Sequence, residues 1–147
     1  MLAVNLDYAV VALLAASPVG EELISIPAGW ALGLPLWNVV LVSLVFNFLP
    51  VPVLLKMMDI AGEHPLIARF TGFFRREKVV GLARKYGFAG IALLAPLAGV
   101  YAMSVAAWVL GIPKGKTMLY IAAGLALYAA GCVAAILGGA AAYGWPR

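Results

Sequence analysis

Between Thr117 and Tyr143 the chain carries no charged residue. That run exceeds the roughly 20 apolar residues an α-helix needs to cross a hydrocarbon core about 30 Å thick. Three further apolar blocks, from Met1 to Ala16, Leu23 to Leu55 and Phe88 to Ile112, leave one polar stretch, between the second and the third. Composition points the same way: 65% of residues are hydrophobic and 11% charged, against roughly 25% charged in average globular chains. Mean hydropathy is +1.05. Lipid is therefore the expected solvent, and residues 1–147 are expected to form a single membrane domain.

The first block is short and ends at Ser17-Pro18, so it is not expected to cross alone. It has no basic segment ahead of its apolar stretch and carries Asp7 inside it, which argues against a cleaved secretory signal. Cys132 is the single cysteine, so neither a disulfide framework nor a cysteine metal site is expected within the chain.

Sliding the chain against itself by 78 residues aligns Tyr8 with Tyr86, Pro18 with Pro96, Trp30 with Trp108, Gly33 with Gly111 and Pro35 with Pro113. Leucines and alanines match by chance in apolar sequence, but two prolines, a tryptophan and a glycine in register point to duplication. Each copy reads as a short helix, a Pro-marked break, a second short helix, a Gly-Pro turn and a long helix. Eleven helical residues rise only about 16 Å, which reaches the bilayer midplane and no further. The expected fold is thus an all-α integral membrane protein: an inverted repeat of re-entrant helical hairpin plus transmembrane helix, with an amphipathic basic linker helix. The first repeat takes residues 1–58, the linker 59–85 and the second repeat 86–147.

Charge placement fits this topology. Lys56, Arg69, Arg75, Arg76, Lys78, Arg84 and Lys85 cluster in the segment Lys56 to Lys85, which the positive-inside rule places in the cytoplasm. A re-entrant second hairpin returns Lys114 and Lys116 to that face. Four plain crossings, the competing topology, send them to the other. Among its charges the linker carries Leu66, Ile67, Phe70, Phe73 and Phe74, the pattern of an interfacial helix with basic residues at anionic headgroups. An ordinary solvated loop is the alternative.

Glu21 and Glu22 follow the first break, in SPVGEELISIP. An ionisable residue at the bilayer centre costs about 2.5–3.5 kcal/mol on insertion scales and is a functional candidate by default; a carboxyl removed from water can carry a proton or meet a polar headgroup. Alternatively, both acids sit in the first turn of a helix, where negative charge suits the dipole. Pro18, Pro27, Pro96 and Gly99 mark expected hairpin breaks. Asn47 lies just before Pro50 and Pro52, where it can bond a freed carbonyl or a substrate group. Tyr101 and Ser104, in the second hairpin, line a path or satisfy backbone. Gly124, Gly131 and Gly138 form a small-residue stripe suited to close helix contact, and Trp37, Tyr143 and Trp145 fit an interfacial aromatic belt.

Catalysis is poorly supplied. The only histidine, His64, stands before Pro65 in a helix-start context. No glycine-rich phosphate loop follows a strand, and no cluster of His, Cys and carboxylates suits zinc. The chain is not expected to be an enzyme, nor to need a cofactor or metal.

The segments SPVGEELISIPAGWALGLP, VFNFLPVPVLL, KYGFAGIALLAP and AAWVLGIPKGK, with the basic linker between them, resemble the small multidrug export protein family, thought to be distantly related to the DedA (SNARE-associated, VTT-domain) membrane proteins. The resemblance covers most of the chain. It implies export, and through DedA it implies proton-dependent translocation of a lipid or amphiphile by an acid of the first hairpin working with an arginine. Glu21 matches the acid. Leu23 stands where the arginine usually is, and APLAGVYAMSVAAW lacks both the basic residue and the Gly-Thr-Gly-like turn of the second hairpin. The expected protein is a small multi-pass transporter of the plasma membrane, with membrane lipids, a lipid or amphiphilic substrate and a second copy as candidate partners, and no nucleic acid. A non-transporting scaffold that binds anionic lipid or a protein through the linker is the alternative.

Overall fold

The computed structural model describes residues 2–18, 20–61, 69 and 77–143. They form α1 (Leu2–Ala16), α2 (Glu21–Ala31), α3 (Leu36–Phe48), α4 (Pro50–Ala61), α5 (Glu77–Ala98), α6 (Val100–Val109) and α7 (Lys114–Tyr143), with no strand among the described residues. Expectations for His64, Arg75, Arg76, Trp145 and most of the amphipathic linker lie outside the described residues. Arg69, Lys78, Arg84 and Lys85 are exposed.

Two helical stretches are long and apolar enough to cross a membrane. Leu36–Asp59 has 24 residues at mean hydropathy 2.2, and Lys114–Ala142 has 29 at 2.1. The first passes through α3 and α4, with a turn at Leu49. Pro50 opens α4, where its missing N–H is no loss and its fixed φ is already helical.

Two helix stops 78 residues apart share one backbone geometry. α2 ends at Leu32 (φ −74°, ψ 0°), whose N–H donates to the Ala28 carbonyl while Gly33 N–H donates to that of Trp30; α6 ends at Leu110 (φ −81°, ψ −1°), whose N–H donates to Ala106 while Gly111 N–H donates to Trp108. Gly33 and Gly111 follow at φ 79° and 67°. Leu34 N–H then reaches Gly29 at 3.2 Å, and Ile112 N–H reaches Ala107 at 3.0 Å. Both are glycine-dependent helix stops of the Schellman type. A Cβ at Gly33 or Gly111 meets nothing within 4 Å, so backbone strain alone sets the cost of adding one. Gly33→Ala and Gly111→Ala should each lose about 1–2 kcal/mol, by matched amounts, in thermal unfolding of detergent-solubilised protein.

The helix breaks differ between the halves. In the first, Ser17 Oγ accepts from Gly20 N–H and donates to the Leu14 carbonyl, both at 2.8 Å, and Pro18 lies in this turn. In the second, α5 runs on through Pro96 to Ala98, and the break falls at Gly99, with φ 93° and ψ 138°. Only glycine takes that conformation readily, so glycine rather than proline sets the second break. Pro27 is likewise no break: it sits inside α2, which continues to Ala31. α5 itself bends at Gly87 (φ 53°, ψ −125°), dividing residues 77–86 from 88–98.

The chain divides into two compact units, Met1–Asn47 with Ala126–Arg147, and Phe48–Leu125. In the first, α1, α2, α3 and the C-terminal part of α7 enclose Val11, Ile26, Leu34, Val39, Val40, Ala129 and Val133. α2 meets α1 and α3 closely at Gly29, where a Cβ lies 2.6 Å from a Val39 methyl and 2.9 Å from a Val11 methyl. The Asn38 amide donates to the Tyr8 hydroxyl at 3.1 Å.

The second unit buries Leu55, Met58, Ile91, Val100, Met103, Ile121 and Leu125 from α4, α5, α6 and the start of α7. Gly124 lies against the Ala92 carbonyl, leaving no room for a Cβ. Gly131 and Gly138, expected to share this role, have nothing within 4 Å among the described residues. Lys114, opening α7, forms an ion pair with Asp59 near the end of α4.

Candidate functional site

The first unit exposes large apolar side chains and buries a few polar ones within its apolar core, as suits lipid solvent. α2 turns Leu23, Ile24 and Pro27 outward and buries Glu21, Glu22, Ser25, Ile26 and Gly29. α3 exposes Trp37, Leu41, Val45 and Phe46 and buries Val39, Val40, Ser43 and Asn47.

Two contacts fix the antiparallel register of α2 on α3. Gly29 packs on Val39, and Ser25 Oγ donates to Ser43 Oγ at 2.8 Å. One turn further along each helix stand Glu22, three residues before Ser25, and Asn47, four after Ser43. Helical residues three or four apart share a face, so the register brings Glu22 level with Asn47. Both side chains have zero exposure. Both Glu22 carboxyl oxygens and both Asn47 amide atoms are buried without a hydrogen-bond partner. Asn47 therefore does not bond a carbonyl freed by Pro50. Cys132, on α7, lies within electrostatic reach of Glu22.

Buried polar groups normally find partners, because each one left unpaired costs about 1–3 kcal/mol. Four unpaired atoms at one level thus call for a reason beyond folding. The 78-residue spacing supplies an internal control. Glu22, Ser25, Ser43 and Asn47 correspond to Val100, Met103, Ile121 and Leu125. The first four are all 0% exposed, and their counterparts are 0, 0, 0 and 1% exposed. The fold accepts apolar side chains at all four places, and uses them in the second half.

Glu21 adds a second sign. Its φ is 37°, the only positive value at a non-glycine residue among those described, and its counterpart is Gly99, at φ 93°. A left-handed conformation that glycine takes freely is kept here by a buried acid, 6% exposed, at a cost of order 1–3 kcal/mol.

The other anticipated residues are arranged differently. Ser104 Oγ donates to its own helix at the Val100 carbonyl, 2.7 Å away, which leaves it satisfying backbone. Tyr101 is half-buried in α6, which belongs to the chain's other unit. Residue type alone does not single out Ser25 and Ser43. Their signal is spacing: each lies one turn from an anticipated residue, on the same face of an otherwise apolar helix.

At the end of this unit, Trp30, Gly33, Leu34, Pro35, Trp37 and Ile136 line much of an apolar groove of about 770 Å³.

Two long apolar helices and large apolar side chains on the exposed faces of a helical fold define a membrane protein with a buried acid–amide cluster. Residues 21–133 match the family described as "Putative small multi-drug export protein", and the chain belongs to that family. The description carries a transporter-like role rather than a catalytic one. Comparison with curated proteins and with solved structures found no match.

Proposed function

We propose that the protein moves an amphiphilic compound or lipid across the membrane, with Glu22 and Asn47 as the polar step of the path and Glu21 beside it. The observation behind this reading is the contrast between halves: four fully buried positions are polar in one and apolar in the other, so the polarity serves something other than packing. A carboxyl and an amide held unpaired in a dry interior can take a proton or a substrate headgroup.

The proposed topology is re-entrant and inverted. Two features support it. Asp59, near the end of the first long apolar stretch, pairs with Lys114 at the start of the second, which favours one membrane face for both. Residues 88–98 and α6, lying between them, are too short to cross singly, at about 15–17 Å. Also, each long stretch begins in the unit holding its own hairpin and ends in the other. A cytoplasmic linker, residence in the plasma membrane as a multi-pass protein, a homodimer and kinship with DedA proteins belong to the same proposal.

The test is flux of fluorescent amphiphiles and labelled phospholipid in proteoliposomes. Glu22→Gln combined with Glu21→Gln should reduce flux at least tenfold while the protein stays folded. Unchanged flux removes the acids from the mechanism. Charge reversal at Lys78, Arg84 and Lys85 should leave flux intact; the reverse ranking favours a scaffold that works through its basic linker.

A further inference from the structure

We infer that the Glu22–Asn47 cluster binds a dehydrated monovalent metal cation. The inference deepens the export reading by naming an ion for its site, and it rests on that reading for its purpose; binding itself is measured apart from transport.

The donor inventory is one of hard oxygens. Glu22 offers two carboxyl oxygens and Asn47 an amide oxygen, all buried and unpartnered. Ser25 and Ser43 sit one turn away, and their mutual hydrogen bond leaves lone pairs on both hydroxyl oxygens. Pro27, inside α2, withholds the N–H that would otherwise pair with the Leu23 carbonyl, so an acceptor carbonyl lies next to Glu22 in the chain. Oxygen donors of this kind suit alkali and alkaline-earth ions, not the softer transition metals. That is why a search for His, Cys and carboxylate clusters finds nothing here: among the described residues no such group of three exists.

Charge and enclosure select within that class. Of the two acids, Glu22 is the one whose carboxyl oxygens are buried without a partner, and one carboxylate among neutral oxygens balances one positive charge. The unpaired atoms each expose less than 1 Å², so an ion must arrive without its water, which Mg²⁺ surrenders reluctantly. Organic cations are too large for so enclosed a position. A cation also accounts for the pairing of an acid with a neutral amide. The carboxylate supplies the charge, and the amide supplies a further, neutral oxygen.

The experiment is thermal unfolding of the purified full chain in detergent, at constant ionic strength, with NaCl or KCl exchanged against choline chloride. A ligand that binds only the folded state raises its stability with the logarithm of concentration. The melting temperature should therefore climb by roughly 3 °C or more for each tenfold increase in the preferred cation above its dissociation constant. Glu22→Gln should abolish the response. So should Asn47→Leu, which removes the amide oxygen while keeping its branching. The combined variant Glu22→Val, Ser25→Ala, Ser43→Ala and Asn47→Leu provides a folded control without the four side-chain donors and should be indifferent to the cation. A wild-type response equal in all three salts overturns the cation site, and flux that persists in choline medium then leaves the export reading standing. A cation response that survives both single substitutions also overturns it, because the ion binds elsewhere. A cation response lost in both variants, in a protein that moves no amphiphile, upholds the site and removes the export reading.

Discussion

Replacing the cluster by apolar residues, Glu22→Val, Ser25→Ala, Ser43→Ala and Asn47→Leu together, should raise stability by about 1–3 kcal/mol and abolish transport. Val and Leu are the residues the second half uses at the equivalent positions 100 and 125, where both are fully buried. Valine is close to glutamate in volume, and leucine keeps the branching of asparagine, so little repacking is needed. The serines change together because their hydroxyls bond each other; removing one alone strands the other at the cost of an unpaired buried group. The gain comes from relieving four unpaired atoms, since apolar replacement of buried polar or charged groups with partners removed on both sides is often neutral or stabilising. Thermal unfolding and proteoliposome flux, measured on the same preparation, check both halves of this expectation. A variant that unfolds shows that the cluster holds the fold together.

The second large effect is expected at Gly124. A Cβ there runs into the Ala92 carbonyl, which is backbone and cannot swing aside as the tip of a side chain can. α5 and α7 must separate, and overpacking of this kind costs about 1–3 kcal/mol, occasionally more. Gly124→Ala should sit at the upper end of that range. Gly131→Ala and Gly138→Ala, in the same helix with open space around them, should instead gain roughly 0.5–1 kcal/mol from the better helix former. Opposite signs within one evenly spaced glycine series are readable as shifts in unfolding temperature. Equal losses at all three positions contradict the packing described.

Much of the architecture is legible in the sequence because lipid leaves few options. Uncharged runs become helices, and the paired Gly-Pro turns at 33–35 and 111–113 stop them identically, since the left-handed stop has a strong residue signature. The breaks are less legible. Proline marks where a helix loses a donor, yet the neighbouring structure decides whether the helix ends there: α2 absorbs Pro27 and α5 absorbs Pro96, and the chain turns instead at Gly99. The even spacing of Gly124, Gly131 and Gly138 hides the fact that, among the described residues, only the first meets another helix.

The site was half visible. Acids in an apolar setting draw notice on energetic grounds alone, and so does a lone asparagine. That Glu22 and Asn47 stand level depends on the register of α2 against α3, which Gly29 on Val39 and Ser25 on Ser43 determine and no local pattern announces. The serines, common and cheap to bury when paired, gave little reason to be singled out.

The topology underlies the whole account, and single-cysteine labelling tests it most directly. In a Cys132→Ser background, Lys56→Cys and Gly115→Cys should react with a membrane-impermeant maleimide from the same face of inside-out vesicles, and Trp37→Cys from the opposite face. Labelling of positions 56 and 115 from opposite faces contradicts a re-entrant second hairpin, and with it the inverted arrangement on which the proposed path depends.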